Sequence, residues 1–62
     1  MYSEFLKGFS RTTNLEPTEA EQQWASYSMM MSDADRTRIE SQDEPAGIEC
    51  GTEFNEWCGR NA

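Results

Sequence analysis

Histidine and valine are both absent from this 62-residue chain, and lysine occurs once, at Lys7. Without histidine no side chain has an ordinary pKa near neutrality, so the usual general base is missing, together with every catalytic triad built on it. Without valine, the Leu, Ile and Phe set comprises only Leu6, Leu15, Ile39, Ile48, Phe5, Phe9 and Phe54. That is about 11% of the chain, against the roughly 20% below which a highly charged sequence tends toward disorder. Basic residues are missing between Ile39 and Gly59, where Glu40, Asp43, Glu44, Glu49, Glu53 and Glu56 all lie. A chain of net charge −7 with such a segment lacks the counter-charge for phosphates, so no direct nucleic-acid binding is expected. Basic surfaces should attract it instead, although solubility alone accounts for a charge of this size.

Long apolar runs are also missing. Nothing approaches the ~18 apolar residues of a membrane span, and MYSEFLKGFSRTTN has no h-region of a secretory leader. No membrane insertion and synthesis inside a cell are the expectations. Only Cys50 and Cys58 carry sulfhydryls, and two cysteines in that setting read as reduced thiols. A disulfide closing the short loop between them is the alternative.

What the chain does hold is large and soft: Trp24, Trp57, Tyr2, Tyr27 and four methionines. At this length about 60% of the unfolded chain's surface can be buried, which makes for a marginal fold completed by a partner or by copies of itself. The pattern predicts a small, mostly α domain over 1–62, with two or three helices around a dominant central one. Ser3 can cap a short helix over about 3–9, with Phe5, Leu6 and Phe9 on one side, weakened by Gly8. SRTTN (10–14) reads as a polar connector. Thr18 and Glu21 have capping-box spacing, and Ala20, Trp24, Tyr27 and Met31 then recur on one face.

Two readings fit SDADRTRIES (32–41): the helix continues, or Ser32 caps a new one with acids in its first turn. The expectation is a central helix over about 19–41, bent if anywhere at Ser32. Pro45 and Gly47 then mark a loop over 42–51. TEFNEWCG reads as a closing helical turn over about 53–58, with Thr52 as cap and Gly59 as stop.

No ligand motif survives inspection, and no cofactor, metal or catalytic residue is expected. DADRTRIESQDE (33–44) imitates a calcium loop, but Arg38 stands where the turn needs glycine and Pro45 blocks the exit helix. The two cysteines lack zinc spacing and further ligands. What remains is MMM. Around a helix Met29 and Met30 lie about 160° and 100° from Met31, so at least one must leave the face that Trp24, Tyr27 and Met31 share. Core filling is the bland use of methionine, and an adaptable contact surface is the functional one. Met29 and Met30, with Phe54 and Trp57 as aromatic anchors for either the core or a partner, are the candidate protein-interface residues.

The function this favours is non-enzymatic: a small acidic accessory or structural subunit of a larger assembly or polymer. A virion component is one such setting, since very small acidic chains with thin cores are common among virus-encoded proteins. The alternative is an inhibitor whose acidic face imitates nucleic acid and blocks a basic groove.

Overall fold

A computed structural model describes residues 2–61, and their regular structure is helical. Four α-helices run in order: α1 (Tyr2–Thr13), α2 (Pro17–Tyr27), α3 (Asp33–Glu40) and α4 (Glu44–Asn61), with a 3-10 turn (Ser28–Met30) closing α2. The mostly α expectation holds, while the lengths of the elements differ from it. α1 does not stop near residue 9: it continues through SRTT to Asn14, which adopts a left-handed φ of 59°. Asparagine tolerates that conformation, and the Leu15 N–H returns to the Ser10 carbonyl at 3.2 Å, ending the helix in the Schellman manner.

The central helix over 19–41 is two helices. α2 begins one residue before the expected cap, because Pro17 takes the first-turn position for which its fixed φ is suited. Thr18 thereby falls inside the first turn, and the capping box with Glu21 does not form; the N-cap is Glu16, with no side-chain cap bond. At the other end α2 tightens into the 3-10 turn and Met31 goes extended, with φ −116° and ψ 166°. Ser32 then caps α3, its Oγ accepting from the Asp35 N–H at 3.2 Å. Of the two readings of this stretch, the restart is the one adopted. Ser32→Ala should therefore cost about 1 kcal/mol of stability, whereas Thr18→Ala should stay within about 0.5 kcal/mol; urea unfolding of both variants checks the contrast.

The largest correction concerns the C-terminal third. The expected loop over 42–51 and closing turn over 53–58 form one 18-residue helix, α4, the longest in the chain. Pro45 sits in its first turn, where a missing N–H does no harm. Gly47 and Gly51 serve as contact points with α1. A Cβ on Gly47 would collide with the Phe5 carbonyl and come within 2.8 Å of the Phe9 nitrogen. One on Gly8 would strike the Glu44 carbonyl and approach the Ile48 nitrogen to 2.8 Å. The two helices thus meet backbone to backbone, and Thr12 fills the space beside Gly51. Asn55 of α4 donates to the Thr12 carbonyl at 3.0 Å, satisfying an orphan acceptor at the end of α1, and Arg11 pairs with Glu44.

Close approach of α1 and α4 compensates for the missing aliphatics by bringing aromatic rings together. Phe5, Phe9, Ala20, Trp24 and Phe54 form the buried core. Trp24 lies 4.7 Å from Phe5 and 5.5 Å from Phe9 between ring centroids, and Phe9 is 5.4 Å from Phe54. Its indole N–H donates to Glu40 of α3 at 2.7 Å. That bond matters because α3 has no fully buried residue and otherwise meets the core through the half-buried Ile39.

Candidate protein-contact surface

The methionine run follows from how α2 ends. Ser28 is fully buried, its hydroxyl donating back to the Ala25 carbonyl at 3.3 Å, and this pins the start of the 3-10 turn against the protein. The following pair then projects outward: Met29 is 78% exposed and Met30 60%. Met31, swung round by its extended backbone, packs against the core. Met31 is turned inward as its helical spacing from Trp24 and Tyr27 predicts, and both Met29 and Met30 leave that face where the spacing required at least one, although the backbone is a 3-10 turn and not a continuous helix.

The two aromatic candidates lie elsewhere. Phe54 is core, 7% exposed, its ring held by Phe9, Tyr27 and Trp57, so it is withdrawn from the surface. Trp57 is half-buried and packs on Tyr27 at 5.6 Å. The structure does not gather all four residues into one patch; the exposed pair is Met29 and Met30.

Not all of the acidic segment is free charge. Glu40 receives the Trp24 indole and Glu44 the Arg11 guanidinium. Glu49, Glu53 and Glu56 remain exposed, at helical spacings that place them on the side of α4 turned away from Gly47 and Gly51. Cys50 and Cys58 are free thiols. Eight residues apart on one helix, they are separated by about 12 Å along its axis, beyond disulfide reach, so the bridge is excluded while α4 persists.

Burial, reinforced by Glu53 and Glu49, raises the Cys50 thiol to about 11. Burial also raises the phenols of Tyr2, with help from Glu21 and Glu40, and of Tyr27, with help from Glu53. Each group holds its proton more tightly folded than unfolded, so each contributes stability that is present below its unfolded pKa and falls as pH rises; for Cys50 it is complete below about pH 9. It is lost as pH rises through 11. The melting temperature should fall over that window, and native-state iodoacetamide should label exposed Cys58 well before Cys50.

A groove unforeseen in the sequence lies between α1 and α2. It encloses about 630 Å³ and is floored by Leu6, Pro17 and Ala25, with Lys7 and Arg11 on the α1 side and Glu21 on the α2 side. The signal that could have revealed it is the one-turn spacing of Lys7 and Arg11 on the side of α1 opposite Phe5 and Phe9. Among the described residues no group of His, Cys, Asp and Glu side chains is disposed to hold a metal ion, and no helix is long and apolar enough to cross a membrane.

No family model, no curated protein and no solved structure matches the chain.

Proposed function

We propose that this chain is a non-enzymatic binding subunit that joins a protein assembly through the Met29–Met30 turn. The observation that carries this is the exposure of two adjacent thioether side chains in a protein with very little apolar material to spare. Methionine surfaces of this kind adapt to a partner's contours, and each side chain covered at an interface contributes roughly 1.5–3 kcal/mol. Met29→Ser with Met30→Ser should therefore weaken association by two orders of magnitude or more while leaving the helix content of the free chain unchanged. Met31→Ser should chiefly destabilise the fold. The measurement is capture from native extract by the tagged chain and its variants, with identification of what co-purifies, beside circular dichroism of each. Full capture by the double variant would sink the proposal.

The acidic row on α4 favours a second reading, in which Glu49, Glu53 and Glu56 face a basic groove in imitation of nucleic acid. The two readings differ in salt dependence, because apolar contact survives screening and rows of exposed charge do not. Changing the three glutamates to Gln should leave partner affinity nearly unaltered under the first reading. Under the second it should fall at least tenfold at low salt and little at high salt.

A further inference from the structure

We infer that the α1–α2 groove receives the Met29–Met30 turn of a second copy of this chain, reciprocally, in a two-fold dimer. This rests on the contact role proposed for Met29 and Met30, and it names their partner.

The two surfaces match in chemistry. The groove is lined by apolar Leu6, Pro17 and Ala25, with Lys7 and Arg11 on the α1 side against the single acid Glu21 on the α2 side, a net positive lining. The turn offers two flexible apolar side chains followed by Asp33, whose side chain stays 97% exposed beside its loose partner Arg36 at 3.7 Å. In a chain of net charge −7, cations are scarce, and two of its five line this groove. Their nearest internal acids leave them accessible: Lys7 and Arg11 side chains stay 64% and 73% exposed beside Glu4 and Glu44. An apolar knob with an acid behind it, entering a groove with cations on its edge, matches apolar to apolar and opposite charge to opposite charge.

The positions match as well. Ala25 lines the groove and Met29 follows it by four residues, so the knob stands at the end of its own groove. The turn is held outside that groove, because Ser28 on one side of it is buried and Met31 on the other packs on the core. Adjacent complementary patches are what a two-fold axis can satisfy twice, each copy giving its knob and receiving its partner's. The contact is then closed and does not propagate into a fibre.

Sedimentation equilibrium of the full chain tests this. A concentration-dependent dimer is expected, lost both in Met29→Ser with Met30→Ser and in Ala25→Arg, which fills the groove from an exposed position. Mixing the two variants should restore part of the association, since one intact knob then meets one intact groove. A chain that stays monomeric to millimolar concentration overturns the inference, and so does a dimer indifferent to Ala25→Arg, which would mean that the methionines meet each other.

Folding of the variants is bypassed by a wild-type measurement. Carbodiimide coupling should condense the Lys7 ammonium with the Asp33 carboxylate, with loss of water, between light and heavy chains of an isotopic mixture. Lys7 is the only lysine, so the amide is unambiguous, and its absence between chains under conditions that link Lys7 to Glu4 within a chain overturns the inference. If the chain is monomeric yet the methionine variant alone loses a partner from extract, the contact role stands and the dimer falls.

Discussion

Gly47→Ala should unfold the chain outright or leave it barely folded at room temperature. In an exposed helix the same change stabilises by roughly 0.5–1 kcal/mol, because alanine orders more cheaply than glycine. Here the added methyl group would enter the Phe5 carbonyl, and backbone cannot step aside as a side chain can. Overpacking of ordinary cores costs typically 1–3 kcal/mol, and a collision with helix backbone should exceed that. Stability for a chain of this length is about 3–9 kcal/mol in total. Gly8→Ala should do the same from the other side of the contact, where Glu44 and Ile48 backbone stand in the way. Gly51→Ala should be milder, since the obstacle is the Thr12 side chain at 2.7 Å. Gly59→Ala meets nothing within 4 Å and should raise the melting temperature. Thermal unfolding of the four variants gives a ranking that propensity alone inverts. If Gly47→Ala melts with Gly59→Ala, the helices do not approach as described.

The second large effect belongs to Trp24. Trp24→Ala should cost about 3–5 kcal/mol, because the ring is fully buried among Phe5, Phe9 and Tyr27. Glu40→Ala keeps the ring but strands its N–H in the core, at about 1–3 kcal/mol. The losses should not add in the double variant, since part of each is the shared bond. Amide exchange separates the two further. Glu40→Ala should lower protection in α3, which meets the core through this bond and the half-buried Ile39, well before α1 and α4 lose theirs. Uniform loss across all four helices would show that α3 is not tethered through this bond.

These two results mark where the sequence could and could not be read. The face of Ala20, Trp24, Tyr27 and Met31 was legible because periodicity reports burial directly, and the same angles required at least one of Met29 and Met30 to turn outward; that both do follows from the 3-10 turn, which the angles did not foresee. α4 was not legible. Pro45, Gly47 and Gly51 are each helix-unfavourable by local rules, and only contact with the distant α1 gives the two glycines a purpose, Gly47 against the backbone of Phe5 and Phe9 and Gly51 beside Thr12. Thr18 misled for a smaller reason: a capping box was visible, but Pro17 had a stronger claim on the helix start. Phe54 could serve the core or a partner as far as its spacing showed, and the core role became visible only once α4 brought its ring against Phe9 of α1 and Tyr27 of α2. The groove went unseen because two helices must cross before it exists.

The pairing of α1 with α4 also sets a schedule for synthesis. A nascent chain halted before residue 44 carries Phe5 and Phe9 on a helix whose backbone partner has not been made. Contacts of such sequence separation close late, after the loop entropy between them has been met. α1 leaves the ribosome before α4 and is thus sheltered late, and for that interval its phenylalanines are open to chaperones and proteases. Pausing translation within 44–51 should lengthen that window and lower the yield of intact protein, with no change in the finished molecule.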